Sequence, residues 1–135
     1  MREIDDLAPC PCGWGEPYEA CCGRFHAGEH APTAESLMRS RYTAFVREDA
    51  AYLLRTWDPA TRPADLDVTG SGGRWRRLLV LATTGGGPFD DTGTVEFEAH
   101  ARDGGRRDVQ HEVSAFRRDG GRWTYTGPVG GVSRG

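Results

Sequence analysis

Cys10, Cys12, Cys21 and Cys22 are the residues of this chain whose types and spacing most clearly suit chemistry, and they are its only cysteines. They form two close pairs within Ala8-Pro9-Cys10-Pro11-Cys12-Gly13-Trp14-Gly15-Glu16-Pro17-Tyr18-Glu19-Ala20-Cys21-Cys22-Gly23. Four thiolates brought to one point make a soft tetrahedral shell that suits zinc, with Zn–S bonds of about 2.3 Å. Pro11 restricts the backbone between the first two ligands, and Gly13 and Gly15 can take the positive φ that a tight turn needs. Backbone N–H groups in such a turn can point at the sulfurs and offset the negative charge of a tetrathiolate. Cys21 and Cys22 cannot both aim inward from a strand, where neighbours face opposite ways. A helical turn can do it, and Tyr18-Glu19-Ala20 is compatible with one.

Two other fates compete for these thiols. A disulfide requires an oxidising compartment, whereas Met1-Arg2-Glu3-Ile4-Asp5-Asp6 carries no apolar leader, so a reducing cytoplasm is the expectation. Four unligated thiols fit poorly at this density in so polar a segment. Redox use of Cys21-Cys22 stays open, because an emptied site exposes reactive thiolates.

The elements that must position these groups follow from the rest of the pattern. At 135 residues the chain allows one ordinary domain plus a small appendage. A net charge of −3 gives no reason to expect nucleic acid or an anionic membrane as partner, and no apolar run approaches the ~20 residues of a membrane span. All 17 basic residues are arginine, and lysine and asparagine are absent, a composition that a GC-rich genome writes. The pairs Arg76-Arg77, Arg106-Arg107 and Arg117-Arg118 accordingly read as solvated strand ends and turns.

Arg24 to Pro32 reads as a linker. Thr33 resembles an N-cap, and Leu37, Met38, Arg41, Tyr42, Phe45 and Val46 recur at helical spacing over 33–47. Asp49 can cap a second helix with Ala50, Leu53, Leu54 and Trp57 on its apolar face, stopped by Pro59; a further turn is expected over Pro63 to Leu66. Strands follow at Trp75 to Thr83, Thr94 to Arg102, Asp108 to Arg117 and Arg122 to Thr126, with Asp103-Gly104-Gly105 and Asp119-Gly120-Gly121 as hairpin turns. Helices first and an antiparallel meander after them make an α+β pattern.

Two resemblances sharpen this reading. Cys10-Pro11-Cys12-Gly13, Gly15, Tyr18 and Cys21-Cys22-Gly23 resemble the SEC-C motif, a small zinc-binding element named for the C-terminus of the SecA translocation ATPase; Trp14 stands where that motif usually has serine. The stretch Thr33 to Val46 is similar to the opening of the YchJ family, UPF0225. So are Asp49, Tyr52-Leu53, Thr56-Trp57, Gly93 to Phe97, His111 to Phe116 and Arg122-Trp123. The resemblance covers nearly the whole chain. It implies a SEC-C knuckle over residues 1–31, joined to a domain like nuclear transport factor 2 over 32–135 whose tail frays after about 128. That domain would be a cone of two or three helices on a curved, about four-stranded antiparallel sheet. The resemblance implies zinc as cofactor and no activity.

By strand parity, Val95, Phe97, Ala99 and Ala101 should face the helices and meet Leu37, Met38, Phe45, Leu53 and Trp57. Glu112, Ser114 and Phe116 should also point inward, with Glu112 paired by Arg41 or the Tyr42 hydroxyl. Arg41, Tyr42, Glu96, His111, Glu112 and Ser114 are thus the polar candidates for a site, against the commoner fate of lone strand carboxylates and histidines as solvated or arginine-paired groups. The favoured reading is a cytoplasmic zinc-binding adaptor presenting Trp14, Tyr18 and Phe25 to a protein partner. The alternative is an enzyme or small-ligand binder that uses the cone cavity, with Glu112 or His111 as acid/base.

Overall fold

A computed structural model describes residues 8–134, and side chains as far as Val129; the opening Met1 to Asp6 lies outside the described residues. Three helices, α1 (Cys22–His26), α2 (Ala34–Val46) and α3 (Ala50–Arg55), precede four strands: β1 (Trp75–Gly85), β2 (Thr92–Asp103), β3 (Arg106–Asp119) and β4 (Arg122–Arg134). The strands form one antiparallel meander in the order β1-β2-β3-β4.

Local chemistry sets the element boundaries. The Thr33 hydroxyl accepts from the Ser36 N–H at 3.0 Å, and the Asp49 carboxylate accepts from the Tyr52 N–H at 3.0 Å, so both helix starts are capped by the side chains the sequence points to. Two hairpins turn on glycine pairs, Gly104 and Gly105 at φ 60° and 87° and Gly120 and Gly121 at 61° and 84°. Positive φ at both central residues is the turn whose twist matches the flanking strands, and it is open to glycine at little cost.

Parity along the sheet holds as expected. Val95, Phe97, Ala99 and Ala101 are buried on one face of β2, and Glu112, Ser114 and Phe116 on the same face of β3. Val95, Phe97, Ala99 and Phe116 share a core with Leu37, Met38 and Leu53, while Phe45 flanks it half-buried; Trp57, expected on the second helix, follows the end of α3 and lines the cavity instead. Two sequence expectations are corrected. Residues 63–66 form no helix, and a short 3-10 turn occurs instead at Ser71–Gly73. Arg24 to Pro32 is more than a linker, because the end of α1 occupies its first residues and Phe25 is buried in the main core.

β4 also runs longer than the Arg122 to Thr126 stretch read from sequence. It does so through two irregularities against β3: Ala115 faces Gly127 while Phe116 faces Tyr125, and Glu112 faces Val132 while Ser114 faces Pro128. Bulges of this kind bend a strand and re-aim its side chains, and one tolerates the proline that a regular ladder would reject. The segment after α3 closes the cone against β4, with Asp58 N–H donating to the Tyr125 carbonyl and Tyr125 N–H to the Thr56 carbonyl, each at 2.8 Å. Asp58 is fully buried and both its oxygens accept from one edge of the Arg117 guanidinium, Nε and Nη2, which holds its carboxyl below the ordinary carboxylate range. Arg117 is therefore a structural tie as well as a strand-end arginine.

Candidate metal centre and cone cavity

The thiol cluster is built by turns. Gly13 sits at φ 84°, Tyr18–Ala20 form a 3-10 turn, and Cys22 opens α1, so Cys21 and Cys22 leave the backbone at a helix start. All four cysteines are free and buried, and their sulfurs lie within 4.8 Å of one another. Cys12 and Cys21 Sγ are 3.6 Å apart. That is far beyond the ~2.05 Å of a disulfide. It matches the edge of a tetrahedron with ~2.3 Å metal–sulfur bonds, about 3.8 Å.

Electrostatics point the same way. The Cys10 thiol is pushed down by hydrogen bonds from Cys12 and Cys22, while the same crowding pushes Cys12 up to about 12 and drives Cys22 higher still. Burial raises Cys21 as well. One thiolate can form among these four, but four cannot without a cation between them. The residues present fit a divalent metal.

Side chains of the main domain hold this cluster in place. Thr43 Oγ1 donates to Cys22 Sγ at 3.4 Å and lies 3.6 Å from Cys10 Sγ. Arg39 Nη1 donates to the Cys12 carbonyl at 2.7 Å and its guanidinium covers the Trp14 ring at 4.6 Å. Below them His26 spans the two parts, with Nε2 at 2.9 Å from the Ser40 carbonyl and Nδ1 at 2.7 Å from the Tyr18 hydroxyl. A carbonyl can only accept, so Nε2 carries the proton and Nδ1 takes the Tyr18 hydrogen. Burial pushes the His26 pKa below its ordinary value. Its neutral form then stabilises the fold fully above about pH 6.5, and that contribution is lost as pH falls through the lower folded-state value. The imidazole resonances of His26 should thus titrate with a midpoint below about 6.5, and a midpoint above 7 would refute the buried neutral pillar.

The second site is the interior of the cone, a cavity of about 360 Å³ between α2, the segment after α3 and the sheet. At ~30 Å³ per water it has room for about a dozen. The Glu112 carboxylate, 6% exposed, turns into it from β3. Its Oε2 accepts from the Ser114 hydroxyl and from the Tyr125 hydroxyl, the latter at 3.1 Å. Arg41 faces the same space from α2, also 6% exposed. Its Nη1 donates to the Leu53 carbonyl at 2.8 Å and to Thr56 Oγ1 at 2.7 Å, and its plane covers Trp57 at 5.0 Å and Tyr125 at 4.5 Å. Burial lowers the Arg41 pKa to about 10, so the guanidinium stays charged at neutral pH. Burial raises Tyr42 to about 12, and burial beside Glu112 raises Tyr125, so both phenols remain neutral donors.

Several expectations change at this point. Glu112 is held by Ser114 and Tyr125, and neither Arg41 nor the Tyr42 hydroxyl bonds to it among the described residues. His111 lies on the outer face of β3, where its Nε2 meets Glu96 at 2.7 Å, so both leave the list of cavity groups. Of the aromatics expected to be displayed by the knuckle, Tyr18 and Phe25 are buried and Trp14 alone is exposed, at 54%. Tyr125 is a cavity group that the sequence does not single out as one; the aromatic alternation of Trp123 and Tyr125 is the signal for it.

A four-cysteine knuckle able to cage a metal, seated on a cone-shaped α+β domain, defines the class of protein. A profile described as "YchJ, middle NTF2-like domain" matches residues 33–128. A UPF0225 protein of Streptomyces coelicolor is 58% identical over 118 residues, covering 87% of this chain and 91% of its own length. One from Corynebacterium glutamicum is 56% identical over 122 residues, covering 89% and 96%. The chain belongs to the YchJ (UPF0225) family. Among solved structures, the solution structure of a SEC-C motif containing protein from Rhodopseudomonas palustris is similar at TM-score 0.77 and 35% identity, covering 90% of this chain and 98% of that one. A crystal structure of a SEC-C motif containing protein from Psychrobacter arcticus gives 0.74 and 27%, covering 96% and 85%. Among the described residues no helix is long and apolar enough to cross a membrane.

Proposed function

We propose that this protein binds zinc through Cys10, Cys12, Cys21 and Cys22 as a structural lock, and that its cone cavity takes up a small organic molecule. The observation that carries this reading is an open interior in which a buried guanidinium and a buried carboxylate face the same space without forming an ion pair among the described residues. Concave, mostly apolar cavities with a few convergent polar groups are the usual form of small-molecule sites. In an enzyme of this shape Glu112 would be the base, since Tyr42 and Tyr125 keep their protons and can only donate.

The test fills the cavity without removing its polar groups. Ala99 is buried in the cavity wall, and Ala99→Leu places extra methyl groups in that space. Titration of benzyl alcohol, a neutral aromatic probe, should shift the amide resonances of Met38, Ala99 and Ser114 in the parent. The folded Ala99→Leu variant should lose at least tenfold in affinity. Equal affinity in both proteins would place the probe elsewhere and end this reading.

A second reading is a protein-binding adaptor, supported by the exposed Trp14 on the knuckle. A photo-crosslinker placed at position 16 should then capture one defined protein in cells, and Trp14→Ala should abolish that crosslink while leaving metal content unchanged. Retention of the crosslink in Trp14→Ala would remove Trp14 as the contact.

A further inference from the structure

Resting on the cavity reading above, we infer that the ligand is a small zwitterion of the aromatic amino-acid type, its carboxylate on Arg41, its ammonium on Glu112 and its apolar body among the ring walls. Three features of the cavity lead there. The first is how Arg41 is used. Its Nη1 is consumed by the Leu53 carbonyl and Thr56 Oγ1, and no partner is taken by Nε or Nη2 among the described residues. The Nε–Nη2 edge of a guanidinium is one of the parallel forks that match a carboxylate with two hydrogen bonds.

The second feature is Glu112. Both of its bonds fall on Oε2, so Oε1 remains an acceptor without a donor among the described residues. A carboxylate oxygen open to a cavity walled by aromatic rings suits an N–H donor carrying positive charge, because the rings add cation–π attraction. The third feature is charge balance. Arg74, the other cation of the wall, is engaged by Asp108 at 3.1 Å, which leaves Arg41 and Glu112 as one positive and one negative group. A ligand with one charge of each sign satisfies both, whereas a simple anion or cation leaves one buried charge unanswered.

The walls agree with an aromatic body. Trp57, Trp75, Phe97 and Phe116 line the space, and the indole N–H groups of Trp57 and Trp75 are buried without an acceptor among the described residues.

The first comparison is made on the unmodified protein and decides the assignment without any substitution. L-phenylalanine, 3-phenylpropionate, 2-phenylethylamine and benzyl alcohol are titrated separately and followed by amide shifts of cavity residues. Phenylalanine should bind at least about tenfold tighter than either singly charged analogue, each of which forgoes one charge-assisted contact. In Glu112→Gln, an isosteric change, phenylalanine should fall to the affinity of phenylpropionate, while phenylpropionate itself should bind no more weakly. Phenylpropionate or phenylethylamine binding as tightly as phenylalanine would overturn the zwitterion assignment. Benzyl alcohol entering the cavity while phenylalanine does not would also overturn it and leave the cavity reading standing. Failure of all four probes would remove both.

Discussion

One equivalent of zinc per chain is the expected result of elemental analysis on protein purified under reducing conditions, and less than half an equivalent would overturn the assignment. Cys12→Ser or Cys22→Ser should abolish binding, since each removes one of four buried ligands. The effect should be large, because structural zinc contributes on the order of 10 kcal/mol in small sites and the apo thiols repel each other's ionisation. Removal should act locally. The cysteines and Tyr18 form a cluster of their own, distinct from the core that holds Leu37, Leu53 and Val95. Chelation is therefore expected to melt residues 8–21 while the main thermal transition persists at a lower temperature. A single transition that vanishes on chelation would mean one shared core.

Arg41→Met is expected to cost the domain about 3–5 kcal/mol, roughly 10–20 °C in melting temperature. The substitution keeps apolar volume but strips Leu53 and Thr56 of a donor and leaves Glu112 buried with Arg74, already engaged by Asp108, as the remaining cation of the wall. The double variant Arg41→Met, Glu112→Gln should recover part of the loss, because removing two opposite buried charges that share one cavity is milder than removing one. Thermal unfolding of the four proteins of this cycle measures the coupling. A loss below about 1 kcal/mol for Arg41→Met would show that the cavity tolerates a lone carboxylate, and the electrostatic account of the site would fail.

Much of this was readable before any coordinates. Strand parity alone turns Glu112, Ser114 and Phe116 inward, because period-2 alternation survives wherever a ladder is regular. The caps Thr33 and Asp49 and the two glycine hairpins are local chemistry and fall where they were read. What could not be read is long-range. Arg41 lies inward as its helical position suggests, yet its bonds go to α3 carbonyl and hydroxyl groups that sequence cannot place beside it. Tyr125 reaches Glu112 only because β4 carries an extra residue opposite the Ala115–Phe116 step, and bulges leave no periodic mark. Tyr18 and Phe25 looked like display residues because their segment is polar overall. They are buried because α1 folds back on α2, so that Phe25 joins the main core and Tyr18 meets His26.

Helix α2 has two customers. Arg39, Ser40 and Thr43 on one side answer to the knuckle, through Cys12, His26 and Cys22, while Met38, Arg41, Tyr42 and Phe45 form a wall of the cavity. A thirteen-residue rod of this kind cannot be displaced on one side without moving on the other. Whatever factor the metal contributes to ligand affinity, the ligand must return in full to metal affinity, since the two equilibria form a closed cycle. A cell that starves this protein of metal would then also loosen its hold on whatever the cone carries.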